Sequence, residues 1–258
     1  MITRYRVSLD GYNLDAIAPE IMILDVAYTV PPFAQQMSTL PGRDGQIPHG
    51  RFTLQTAGVT VTIEIHTQDI RRRQEVAEQV RRWAMKGGKL RVNSRPHEFL
   101  RVRCDRPPVV PSDLKWTGKI TVGFAADEIV YWMDEDAQKV SVQPGKSAAL
   151  YVPGSAYDTP VSVEVQNNSG QTVNTLSVTA GDTVFSFADL SLASGQALTI
   201  GYDETDILYI RAGEVSKMNK RTPESSDELR IRQNEHVNVS VTADAAVTAV
   251  CTARGRSL

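Results

Sequence analysis

Gly145-Lys146-Ser147 resembles the end of a phosphate-binding loop, in which backbone amides and a lysine cradle a nucleotide. That loop needs a glycine five residues before Gly145, and the position holds Val140, so the tripeptide reads as a turn with a surface lysine. Asp203-Glu204-Thr205-Asp206 gathers carboxylates that could hold calcium or act as an acid/base pair. It lacks the glycine and the ligand spacing of a calcium loop, and a solvated turn between Ile200 and Ile207 accounts for it better. His49, His66, His97 and His236 are scattered, with no pair at the four-residue spacing of a helical zinc site, and no Gly-x-Ser-x-Gly elbow occurs. No catalytic residue, metal ligand or cofactor is expected.

Two sets suit binding rather than catalysis. Arg71, Arg72, Arg73, Arg81 and Arg82, with Arg91, Arg101 and Arg103 further on, could make a phosphate-binding face. Glu75 and Glu78 lie among them, however, and Glu78 sits three and four residues before Arg81 and Arg82, where it can pair with both. The reading is a solvated or subunit-contacting face. Tyr151, Tyr157, Tyr202 and Tyr209 could stack on sugar rings, Tyr157 and Tyr202 being the candidates, but Trp83, Trp116 and Trp132 all fall in the first half. Tyrosines at strand edges are the plainer account.

The elements that carry these residues follow from periodicity. Pro41-Gly42-Arg43-Asp44-Gly45 is a turn, and Val59 to His66 alternates apolar and polar residues as a half-buried strand does. A helix is expected from about Asp69 to Lys86, with Ile70, Ala77, Val80, Trp83 and Ala84 on its buried stripe and Gly87-Gly88 as a left-handed stop. Strands are expected at Lys89–Val92, Glu98–Cys104 and Trp116–Phe124, so that a lone helix lies across antiparallel strands. The segment from Val30 to Arg51 is rich in proline and glycine and poor in periodicity. It is a candidate loop facing a neighbouring subunit, or a disordered surface loop.

Composition bounds the rest. With 258 residues and 41% hydrophobic content, the length favours two domains, placed at 1–135 and 140–258 around the acidic stretch Asp134 to Gln138. The net charge of −2 gives no electrostatic reason to expect nucleic acid or membrane. Cys104 and Cys251 lie one in each half, which suits free thiols in a reducing compartment rather than a disulfide framework. The N-terminus has no apolar stretch of signal-peptide type, and the run Ile21 to Leu24 is broken by Asp25, so neither a signal peptide nor a membrane span is expected. After Val140, short strands at Val161–Val165, Thr183–Phe187, Ala197–Ile200, Ile207–Ile210, Glu228–Ile231 and His236–Val241 alternate with turns, the pattern of a β-sandwich.

The order of turn, strand, arginine-rich helix and three strands, followed by an all-β second half, resembles the distal tail protein of siphophages, the family that caps the tail tube. The residues carrying the likeness are Pro41 to Gly45, the helix before Gly87-Gly88, the Phe99 strand, and Gly118 to Phe124 leading into Asp127-Glu128-Ile129-Val130-Tyr131. The resemblance implies a mainly β chain: an antiparallel sandwich or barrel-like N-terminal domain with one α-helix, then a galectin-like or carbohydrate-module-like sandwich. It implies a homo-oligomeric ring of six at the virion tail tip, assembled in the host cytoplasm. One face would stack on the tail tube protein and the other on the tail-associated hub protein, with DNA only as passing cargo. Receptor-binding or side proteins would attach to the outward sandwich. Pro41, Gly42, Arg43, Asp44, Gly45, Arg72 and Arg73 are the implied ring or tube interface. The alternative is an adhesion protein that binds host-surface glycan through the second domain.

Overall fold

The computed structural model describes residues 5–39, 44, 47–108, 118–143, 145–203, 205–233 and 235–258. The chain divides into two compact units, Met1–Trp132 together with Leu258, and Met133–Ser257. It is mainly β, as expected. The first unit carries β1 (Val7–Leu9), β2 (Tyr12–Asn13), β3 (Ile21–Thr29), β4 (Phe33–Ser38), β5 (Ile47–Leu54), β6 (Gly58–Ile65), α1 (Ile70–Ala84), β7 (Gly88–Val92), β8 (Arg95–Arg106) and β9 (Lys119–Ala126). On β10 (Trp132–Asp134) the chain passes to the second unit.

The main sheet of the first unit runs β2-β1-β7-β8-β9-β6-β3, every neighbour antiparallel. Alternation along β6 sends Val59, Val61, Ile63 and Ile65 into the core and Thr60, Thr62 and Glu64 outward, as a pleat with one covered face requires. Helix α1 covers that core. Asp69 caps it by accepting a hydrogen bond from the Arg71 amide at 2.9 Å. Its buried residues are Val76, Ala77, Val80, Trp83 and Ala84. Two corrections to the expected stripe follow. Val76 joins it, and Ile70 leaves it at 46% exposed, because a first-turn side chain leans toward the helix start, beyond the residues that could cover it. Trp83 is the anchor: its indole donates to the Tyr12 carbonyl at 3.1 Å and meets Phe124 edge-on, ring centroids 5.9 Å apart.

The helix stops where the sequence says it should. Gly87 and Gly88 have φ of +62° and +116°, and a Cβ on Gly88 would lie 2.1 Å from the Asp10 carboxylate, which itself accepts from the Lys89 amide. Between β3 and β6, Val30 to Arg51 is not a featureless loop. Strands β4 and β5 pair with each other as a separate two-stranded sheet, with a register shift between Ala34 and Gln36. Pro48 and Gly50 hid β5 from the sequence pattern, and a two-stranded ribbon tolerates both because half its backbone groups need no ladder partner.

The second unit carries β11 (Gln138–Val142), β12 (Ser147–Leu150), β13 (Thr159–Asn167), β14 (Leu176–Ala180), β15 (Thr183–Phe187), β16 (Ala197–Tyr202), β17 (Leu208–Ala212), β18 (Val215–Ser216), β19 (Arg230–Ile231), β20 (Val237–Ala243), β21 (Val247–Ala253) and β22 (Arg256–Ser257). One sheet runs β11-β21-β13-β16-β17-β18 and the other β12-β20-β14-β15. Their inward residues, among them Val163, Ile200 and Cys251 from the first and Val178, Phe185 and Val239 from the second, form one apolar cluster, which makes the unit a two-layer sandwich. Asn167, wholly buried, fixes the predicted turn after β13: its amide donates to Gln171 and Leu192 carbonyls at 2.9 Å, and its oxygen accepts from the Ser169 amide and hydroxyl. Among the described residues no helix is long and apolar enough to cross a membrane.

Candidate functional site

The features that could meet another protein lie at the ends of the first unit's sheet. Among the described residues β2, at one end, pairs only with β1, and the nine-residue β3, at the other, pairs only with β6. Each strand therefore presents one side of its backbone away from its sheet. The two edges are unlike. Beside β2 stands the C-terminal half of α1, and β3 carries a register shift between Ile23 and Asp25 and leads through Val30 into the hairpin. A shift of this kind turns the strand locally and limits indiscriminate pairing.

Four of the helix's five arginines are held by groups of their own chain. Arg72 donates to both Glu20 oxygens, at 2.8 and 3.3 Å, and approaches Glu75 at 3.5 Å. Its guanidinium holds the Glu20 carboxyl below the usual carboxylate range. Arg73 donates to the Thr67 carbonyl at 2.5 Å. Arg81 and Arg82 both reach Glu78, whose pKa is lowered chiefly by the Arg81 hydrogen bond. Arg72 and Arg73 are thus brought together at the helix start, each held by its own chain. Of the glycine turn implied as interface, Asp44 is exposed. Pro41, Gly42, Arg43 and Gly45 lie outside the described residues.

In the second unit, Tyr157 and Tyr202 are both half-buried. The Tyr202 hydroxyl accepts from the Leu229 amide at 2.9 Å and donates to the Leu229 carbonyl at 3.2 Å, and burial pushes its pKa up to about 12. Its polar end serves the fold. The acidic turn is divided between two tasks. Asp203 accepts from the Thr205 amide and hydroxyl and from the Ile207 amide, the Thr205 hydroxyl contributing most to its lowered pKa. Asp206 is clasped by both terminal nitrogens of Arg256 at 2.6 Å, and Arg256 is only 5% exposed. No group of three potential metal ligands occurs among the described residues. Cys104 and Cys251 are free thiols, and burial pushes the Cys251 pKa up to about 12.

Sequence reasoning missed the β4–β5 hairpin and a groove beside Trp83. Val30, Phe33 and Met37 are 66%, 67% and 53% exposed. A group of large apolar residues beside proline in a non-periodic stretch was the available signal.

No family model matches the chain, and no curated protein matches it. Among solved structures, the crystal structure of the SPP1 Dit protein, described as a paradigm of the hub adsorption apparatus in phages infecting Gram-positive bacteria, is similar over 98% of this chain and 99% of its own. The TM-score is 0.72 and the identity 12%. Structures of the phage P2 baseplate in its activated conformation align at TM-scores of 0.46 with Ca and 0.44 with Sr, each at 8% identity and over at least 98% of both chains. The first of these likenesses spans both units, and what the chain shares with SPP1 Dit is therefore the fold.

Proposed function

We propose that the chain is a structural, non-catalytic subunit of a phage tail. Six copies form a closed ring at the distal end of the tail tube, joining the tube to the baseplate hub and the receptor-binding apparatus. The observation that carries this reading is the pair of unlike open edges on one sheet, β2 and β3. A subunit whose two edges differ can join its neighbours head to tail, and such a contact forms a ring when its rotation closes on itself. The fold shared with SPP1 Dit supports it. In this reading the protein resides at the virion tail tip after assembly in the host cytoplasm, and DNA passes the lumen without being gripped. The galectin-like character of the second unit belongs to the same proposal.

Native mass measurement tests it, on the full chain and on residues 1–133, over a range of concentrations and with the tube partner added. A mass six times that of one chain is expected for both. A full chain that stays monomeric at high concentration beside its tube partner overturns the reading.

A further inference from the structure

The chain from β3 to β6 forms one long ribbon in two parts. Its base, β3 with β6, pairs through to Thr29 opposite Gly58 and belongs to the main sheet. Past Val30, Pro31 and Pro32 have no amide to give the ladder, and β4 with β5 continues as an arm that, among the described residues, pairs with no other strand. A two-stranded ribbon is marginal in water by itself. This one also carries Phe33 and Met37 into solvent, at 67% and 53% exposed, so its order depends on how firmly its root is held.

The root is held at Tyr28, near the end of β3. Its hydroxyl shares a hydrogen bond with Ser94 Oγ at 2.5 Å, its ring meets Trp132 edge-on with centroids 5.6 Å apart, and the Arg95 guanidinium lies 5.7 Å from its centre. The same guanidinium lies 5.0 Å from the Trp132 ring centre, donates to Glu98 at 2.8 Å and donates to the Leu258 carbonyl at 2.6 Å. Trp132 and Leu258 are the first unit's residues at the two points where the chain leaves for the second unit and returns from it. Both crossings and the root of the arm therefore converge on one side chain.

We propose that Arg95 is a positioning residue that couples the arm to both crossings, so that a displacement of Trp132 or Leu258 loosens β4 and β5. A guanidinium is planar, with its donors in a fixed fork, and it follows a moved carbonyl only by turning. Turning withdraws it from the Tyr28 ring face, and the root loses that hold. The coupling lies within the first unit of a single chain and does not depend on the ring.

Hydrogen exchange followed by mass spectrometry tests it on the full chain, with β6 as internal reference and samples of equal native mass. Arg95→Met keeps most of the side chain's length and removes its hydrogen bonds, whereas deletion of Leu258 leaves Arg95 in place and removes one crossing contact. Each variant is expected to speed exchange of the β4 amides at least about fivefold while β6 keeps its wild-type rate. An arm that loosens in only one of the two variants, or in neither, overturns the link, and so does a β6 that loosens as much as β4.

Discussion

Trp83 and Cys251 show how much one side chain decides in each unit. Trp83 is 6% exposed, hydrogen-bonded to Tyr12 and packed on Phe124. Trp83→Ala should cost roughly 3 to 5 kcal/mol by the large-to-small rule, and Ile70→Ala under about 1 kcal/mol because that side chain is already half in water. Urea denaturation of the two variants checks the ranking, and similar costs would place the helix wrongly. In the second unit burial pushes the pKa values of Cys251 and Tyr202 up to about 12, from ordinary values of 9.0 and 10.0. The unfolded chain loses these protons first, so the folded state binds more protons between the two values and stability falls as pH rises through that window. Below pH 9 their contribution is complete. Denaturation midpoints measured from pH 8.5 to 11.5 should therefore decline, and Cys251→Ala should flatten the part of the curve that begins near 9. A decline as steep in Cys251→Ala as in the wild type would mean that the thiol is not the titrating group.

Among the elements, those with strict alternation or a clear stop were legible in the sequence. Strand β6 is one residue from its expected position, and α1 ends at Ala84, two residues short of the expected Lys86 and just before the left-handed Gly87-Gly88. Gly88→Ala meets both the unfavourable φ and the Asp10 carboxylate, and should cost at least about 1 kcal/mol. Asp10→Gly in the same chain should recover only part of that loss, because it relieves the contact and not the backbone. Thermal melts of the single and double variants separate the two causes. What escaped the sequence is equally physical. Strand β21, Val247 to Ala253, sits between β11 and β13 and is built largely of alanine, threonine and cysteine, whose contrast is too small to show a period. The hairpin escaped because its register shift breaks alternation. The groove beside Trp83 escaped because it joins residues 12–17 to residues 79–86, a juxtaposition that no local pattern encodes.

At the scale of the whole molecule, the two units have separate cores, one around β6 and α1 and the other between the sandwich sheets. The second unit should therefore fold alone, but its lower boundary matters. The Asp134 amide donates to the Gly255 carbonyl at 3.1 Å, the Arg254 guanidinium donates to the carbonyls of Asp134 and Glu135, and a Cβ on Gly255 would strike the Asp134 carboxylate. A fragment of residues 133–257 should thus melt several degrees above one of residues 140–257, and scanning calorimetry of the full chain should resolve two transitions. Equal melting of the fragments would make the Arg254 contacts ornamental. The last residue belongs elsewhere: Leu258 groups with the first unit, where the Arg95 guanidinium donates to its carbonyl at 2.6 Å. For anyone splicing a foreign module in place of residues 133–257, the insertion is consequently a loop sewn at two seams, and a graft stitched only at Trp132 would cost the Arg95 guanidinium its bond to the Leu258 carbonyl.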